Sequence, residues 1–199
     1  MNPNAQHRSV GRPRQFDEAA ALEAAMAAFW NKGYEATSMA ELCNCTGLHK
    51  GSLYQAFGGK HELFMSALKH YGEQQFREVA TVVSSEASPL ENIRVVVDKL
   101  CTHSGQPDGC LMINSVVELA PHDDEVKELL QGFARKRLGF MAEMIAAAQE
   151  AGEISVKQAP DQLARQLMLT VAGGAVLVKG LIEFDDIRNT IENLIDSWV

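Results

Sequence analysis

The sequence predicts an all-α protein of about nine helices, on three observations. Apolar residues recur at i, i+3, i+4 and i+7 along nearly the whole chain, the spacing of one face of a helix. Glycine and proline punctuate it without any hairpin or alternating apolar–polar pattern. Capping residues stand where the periodic runs begin.

Asp17 is a suitable N-cap, and Leu22, Ala25, Met26 and Phe29 follow as the first stripe, which ends at Lys32-Gly33. In "TSMAEL", Ser38 and Glu41 have capping-box spacing and open a short second helix that stops around Cys45-Thr46-Gly47. A third runs from Lys50 to Phe57, with Leu53, Ala56 and Phe57 on one face. After Gly58-Gly59 a longer helix begins near Lys60 and carries Phe64, Ala67, Leu68 and Tyr71 inward. Pro89 starts a helix to about Cys101, "GQPDG" breaks the chain, and Cys110 to Leu119 form another short one. A turn at Pro121-His122-Asp123 leads into a long helix to Gly152, striped by Val126, Leu129, Leu130, Phe133, Met141, Met144, Ile145 and Ala148. "APDQLARQL" opens the next, from Asp161 to about Leu181, with Pro160 near its first turn. The last spans Asp185 to Trp198.

Composition bounds the function. With 199 residues, nearly half apolar and 22% charged, the chain is a folded globular protein of one large or two small domains. Its longest apolar run, Leu167 to Val178, is interrupted by Thr170 and two glycines and falls short of the roughly 20 residues a membrane span needs. The N-terminus has no apolar signal core. Four cysteines without disulfide-like spacing and eight methionines suit a reducing interior, so a cytoplasmic location is expected. Residues 1–60 carry six basic and five acidic side chains, whereas 61–199 carry twelve and twenty-one. A weakly basic head on an acidic body suggests that the head alone meets a polyanion.

Two short helices around Gly47 make a helix-turn-helix candidate. Leu42, Leu48, Leu53 and Phe57 can hold them together, with Cys43 and Thr46 small enough for close approach. The opposite face of the second short helix then holds His49, Lys50, Ser52, Tyr54 and Gln55, donors of the kind that read phosphates and base edges, while Gly51 lets the backbone come near a duplex. No Cys-x-x-Cys, HExxH or glycine-rich phosphate loop is present, so no cofactor is expected. Cys43 and Cys45, two apart on a helix, do not face each other, so no metal is expected with His49 either.

The stretch "GRPRQFDEAAALEAAMAAFWNKGYEATSMAELCNCTGLHKGSLYQAFGGKHELF" resembles the N-terminal domain of the TetR family of transcriptional regulators, with "F…GY..TS…L", "TGL.KGSLY..F" and "K.ELF" in the family's order. The resemblance implies a head of residues 1–60 and an effector-binding and dimerisation body of 61–199. It implies a homodimer on double-stranded palindromic DNA, with half-sites ~34 Å apart. Carried over, Thr37 and Ser38 resemble phosphate contacts, His49, Lys50, Gly51, Ser52, Tyr54 and Gln55 match the recognition helix, and Lys60 matches a phosphate-binding lysine. Arg12 and Arg14 resemble a basic arm that reaches the minor groove or backbone. His49 departs from the Ser or Thr common at its position, which puts the cap or phosphate contact there in doubt.

The helix from Asp161 is apolar nearly all round. With the last helix it resembles the family's dimer interface, through Leu167, Val171, Gly174, Val178, Ile191, Leu194 and Trp198; the other reading is that both helices fill one protomer's core. "DGCLMINSVVELA" resembles a stretch in one branch of the family that includes electrophile and oxidant sensors. Cys110 at a helix N-terminus is then either a sensing thiol, with Cys101 as resolving partner and Asp108 opposing its ionisation, or a small buried hydrophobe. Methionines 112, 141, 144 and 168 with Phe133 and Phe140 are candidate pocket lining, and Asn114, Glu118 and Lys179 candidate inward polar groups. The function expected is a DNA-binding repressor released by a small-molecule or thiol-reactive effector. A cysteine-based redox enzyme and a helical protein–protein adaptor are the alternatives.

Overall fold

Capping chemistry fixes where the helices begin. In the computed structural model, which describes residues 16–104 and 109–199, Asp17 Oδ1 accepts the Ala20 N–H at 3.1 Å and opens α1 (Glu18–Lys32). Ser38 Oγ accepts the Glu41 N–H at 3.2 Å while Glu41 Oε2 accepts the Ser38 N–H at 2.8 Å, the expected capping box of α2 (Met39–Thr46). Gly47 then adopts φ 68°, ψ 12°, a left-handed turn without Cβ penalty, into α3 (Lys50–Phe57). There follow α4 (Lys60–Val82), α5 (Pro89–Ser104), α6 (Leu111–Glu118), α7 (Asp124–Glu150), α8 (Pro160–Leu177) and α9 (Phe184–Asp196). The described residues form nine helices and no strand. The expected reach of α8 to Leu181 is corrected: the chain turns at Gly180, whose φ of 142° is open to glycine alone, and Leu181 and Ile182 both bond back to Leu177 O.

Two apolar clusters organise the packing. The first joins α1 to α4 with α6, the start of α7 and Ala175. The second joins α5, the far half of α7, α8 and α9. Helix α4 reaches both, with Phe64, Leu68 and Tyr71 in one and Val79 in the other. Gly72 lets α7 approach α4: a Cβ there would stand 2.5 Å from Phe133 Cζ.

The face of α8 and α9 nominated for dimer contact is largely spent inside the protomer. Leu167, Gly174, Ile191 and Trp198 are buried, and Val171, Val178 and Leu194 half-buried. Gly174 does admit a neighbouring helix, but it is α9 of the same chain, whose Ile187 Cγ2 lies 2.5 Å from where a Cβ would be. The outward side of α8 carries Leu169, 73% exposed, Gly173 and Val176 instead. No helix among the described residues is long and apolar enough to cross a membrane.

Candidate nucleic-acid interface and ligand cavity

Leu42 and Leu53, both fully buried, pin α2 and α3 to the first core, with Cys43, Leu48 and Phe57 packed around them. Thr46 Oγ1 closes the corner by donating to Leu42 O at 2.6 Å and accepting the Leu48 N–H at 3.3 Å. This leaves His49, Lys50, Gly51, Tyr54 and Gln55 exposed and Ser52 half-exposed along one side of α3. His49 occupies the N-cap position but makes no cap bond with its side chain, so the imidazole is uncommitted. Gly51 has ordinary φ and nothing within 4 Å of a Cβ position. Neither strain nor internal packing demands glycine there, so its small profile is available to an external surface.

Around this helix the expected phosphate contacts divide. Lys60, at the start of α4, lies 4.3 Å from the Tyr34 ring centroid and donates to Glu35 O at 3.4 Å, with its head half-exposed. Ser38 is exposed, although its hydroxyl also donates to Glu41 Oε2 at 3.0 Å. Thr37 is a correction: it is fully buried, its hydroxyl donates to Gly33 O at 2.6 Å, and its N–H bonds to Tyr34 O. It has no donor left for a phosphate. Lys32 pairs with Glu41 and, together with the Ser38 N–H and hydroxyl, holds the Glu41 carboxyl down to about 2. Arg12 and Arg14 lie outside the described residues, as does Asp108.

Head and body are joined by polar contacts that the sequence pattern does not announce. Trp30 Nε1 donates to Gly109 O at 3.1 Å. Glu118 accepts the backbone N–H of Tyr34 at 3.0 Å and of Glu35 at 2.8 Å. Just past the head, at the start of α4, His61 Nε2 lies 2.7 Å from Asp123 Oδ2, the cap of α7.

Within the body, α5, α6, α7 and α8 border a small cavity, walled mainly by Leu100, Ile113, Met141, Leu167, Met168 and Val171. Cys110 lines it, as does Arg137. A polar chain runs from this wall: Arg137 Nη2 donates to Gln75 Oε1 at 2.7 Å, Gln75 Nε2 donates to Tyr71 Oη at 2.6 Å, and Tyr71 donates to Cys110 Sγ at 3.6 Å. Burial, then the neighbouring Cys110, pushes the Tyr71 phenol well above its usual range, so it stays protonated.

The six residues expected around an effector therefore separate. Cys110 and Met141 line this cavity. Asn114, Glu118 and Lys179 line a different cleft, against Trp30 to Gly33 of α1. Met144 lies half-buried in the second core. The inward role for Glu118 is corrected, because its carboxylate is taken by the head. The proposed Cys101 partnership is corrected as well. Cys101 faces α9 beside Arg188 and Glu192, and burial, then Asp98, pushes its thiol up to about 11, leaving little thiolate near neutrality. Among the described residues no group of three or more His, Cys, Asp or Glu side chains is arranged to hold a metal ion.

Residues 21–67 match the description "Bacterial regulatory proteins, tetR family", and residues 89–194 match "Tetracyclin repressor-like, C-terminal domain". The chain belongs to the TetR family. It is a DNA-binding transcriptional regulator and not an enzyme. The repressor ComR of Escherichia coli is 32% identical over 151 residues, which cover 74% of this chain and 72% of ComR. The uncharacterised regulator YezE of Bacillus subtilis is 27% identical over 187 residues, 92% of this chain and 96% of YezE. Among solved structures, a cysteine mutant of the TetR-family regulator CifR, complexed with 26-base-pair operator DNA, superposes with a TM-score of 0.81. It is 26% identical, covering 95% of this chain and 100% of that one.

In this TetR-family regulator, sequence reasoning missed Arg137, Gln75 and the direction of Glu118. A signal for the first two exists. Arg137 falls on the inner stripe of α7 between Phe133 and Met141, and Gln75 on that of α4 between Tyr71 and Val79, so both are polar residues at core-facing spacing.

Proposed function

We propose that the protein is a cytoplasmic, homodimeric repressor that holds a palindromic operator with α3 and releases it when a small molecule enters the α5–α8 cavity. The observation that carries this reading is the exposed row of His49, Lys50, Gly51, Tyr54 and Gln55 on a helix anchored from behind by Leu53. Ser38 and Lys60 flank it as phosphate contacts, and Arg12 and Arg14 extend it along the duplex. Residues 1–60 serve as the DNA-binding unit and 61–199 as the effector-binding and dimerisation unit. The outward side of α8, Leu169, Gly173 and Val176, supports pairing with a second copy, which places two heads on one two-fold axis.

The test is anisotropy of a duplex taken from upstream of the protein's own gene, across a salt series. Lys50→Ala should weaken binding to every duplex and lower the salt slope by about one per head. Gln55→Ala should instead shrink the difference between that duplex and a scrambled one. Binding that ignores salt, or that treats both duplexes alike in the wild type, overturns the reading.

A covalent signal is the second reading, favoured by one observation: Cys110, although only 1% exposed, is among the residues that line the cavity, where an electrophile small enough to enter would approach it. Release of DNA by N-ethylmaleimide from wild type but not from Cys110→Ser supports it; equal behaviour of the two excludes it.

A further inference from the structure

Among the described residues, the cavity between α5 and α8 is lined by apolar side chains apart from Arg137 and Cys110. Arg137 stands on α7 one turn from Phe133 and one turn from Met141, both buried, so the stripe that carries it faces the protomer's interior. A guanidinium is charged at any physiological pH and offers five N–H donors in a planar fork. Among the described residues one of those donors is used, by the neutral Gln75 Oε1 at 2.7 Å, and no carboxylate pairs with the group. A half-buried charge beside apolar walls, without a counter-charge, is unfavourable.

The polar chain behind Arg137 fixes its orientation. Gln75 is 4% exposed, and its amide nitrogen is engaged by Tyr71, which leaves its carbonyl oxygen toward the guanidinium. Gln75 and Tyr71 each donate onward in the same direction, down to Cys110 Sγ. What the arrangement still accommodates is an acceptor for the rest of the fork. A carboxylate matches it in charge and in two-point geometry. Among the described residues lining the cavity, Arg137 is the one that carries a charge, which suits a single negative charge better than a dianion.

We infer that the cavity takes a small apolar monocarboxylate, its carboxylate held by Arg137 and its hydrocarbon body lying along Met141, Leu167, Met168 and Val171. The inference rests on the reading of this cavity as the effector site. It also supplies a route for the signal. Among the described residues the partner of Arg137 is on α4, whose opposite end packs through Phe64 and Leu68 into the head's core, so a ligand that recruits the guanidinium acts on that helix.

The experiment is calorimetric titration of the full-length protein with straight-chain acids from butanoate to decanoate, and with benzoate and phenylacetate, each beside its primary amide. The expected result is that at least one acid binds wild type roughly tenfold or more tighter than its amide, the worth of a charge-assisted hydrogen bond. Arg137→Gln should bind that acid and its amide alike. Arg137→Lys, which keeps the charge without the fork, should keep the preference at reduced affinity, and it carries the test if Arg137→Gln fails to melt cooperatively. The inference is overturned if no member of either series binds, if acid and amide bind wild type alike, or if Arg137→Gln retains the preference. Operator binding by unliganded wild type is measured separately. Its failure would count against the DNA-release reading, whereas intact operator binding without acid preference would remove only the carboxylate.

Discussion

Glu118 on α6 accepts the backbone N–H of Tyr34 at 3.0 Å, across 84 positions of sequence. Its other oxygen takes the Glu35 N–H, and Gly33 leaves room for the carboxylate, since a Cβ there would stand 2.9 Å from Glu118 Oε2. The opposite end of α6 begins at Cys110, in the wall of the α5–α8 cavity. An eight-residue helix, about 12 Å long, therefore has one end at the cavity and the other on the loop that precedes α2. Glu118→Gln would turn an amide N–H toward one of the two backbone donors. It should lower stability by about 1 kcal/mol and weaken the coupling between ligand and DNA, while ligand affinity stays near wild type. Urea denaturation and operator titrations with and without ligand would check this; coupling equal to wild type would sink it.

Thr37 offers a cleaner separation of fold from DNA contact. Its hydroxyl serves Gly33 O inside the head. Thr37→Val should reduce stability by about 1–2 kcal/mol, because an isosteric side chain leaves that carbonyl without its donor. The salt slope of DNA binding should not change. Lys60→Met should do the reverse, leaving stability nearly intact and lowering the slope by about one per head. A slope change in Thr37→Val would restore the phosphate contact that burial argues against.

The contrast between Ser38 and Thr37 shows what a sequence makes legible. Ser38, Glu41, Asp17 and Gly47 act on backbone groups a few residues away, so local spacing is enough to place the helix ends. The direction of a side chain depends on which helix packs opposite. Gly174 reads as a site of close helix approach, and it is one, but only the packing of α9 shows that the visitor is Ile187 of the same chain. Glu118 reads as a candidate inward polar group, whereas its place at the end of α6 sets it against a loop 84 residues earlier. Arg137 was missed although a charge on an apolar stripe marks it; that Gln75 supplies its only protein acceptor among the described residues has no such mark.

Gly72 tests how tightly α4 and α7 are set. In a solvated helix interior Gly→Ala gains up to about 1 kcal/mol. At this position the added methyl would lie 2.5 Å from the Phe133 ring, and forcing it in costs roughly 1–3 kcal/mol. Gly72→Ala should therefore be destabilising, and Phe133→Leu should rescue part of the loss in the double variant. Thermal melts of the four proteins decide it; a stabilised Gly72→Ala would mean that the helices move apart without penalty.

The Lys32–Glu41 pair predicts a response to acid. Bonded to Lys32 and to the Ser38 N–H and hydroxyl, Glu41 titrates near 2 in the folded protein against an ordinary 4.5. A carboxyl held below its unfolded value contributes stability that is complete above about pH 4.5 and is lost as pH falls through 2. The gap in melting temperature between wild type and Glu41→Gln should be constant from pH 5 to 7, narrow below pH 4.5 and close near pH 2. It should also shrink in high salt, because the pair is exposed. A gap that persists at pH 2 would assign the stability to packing instead of charge.

The outward side of α8 gives the last and most direct contrast. Leu169 and Val176 are exposed on the same side of the helix, with Gly173 between them, while Leu167 two residues away is buried against the second core. If a second copy covers this side, Leu169→Glu should shift the sedimentation profile from dimer to monomer and weaken operator binding, because two linked heads bind far more tightly than one. Its own fold should survive, since a surface change of this kind moves stability by only about 0.5 kcal/mol. Leu167→Ala should do the opposite, costing about 2–5 kcal/mol through the cavity it leaves in the protomer without first separating the subunits. A Leu169→Glu protein that remains dimeric would place the two-fold contact elsewhere on the body and leave Leu169 and Val176 for another partner.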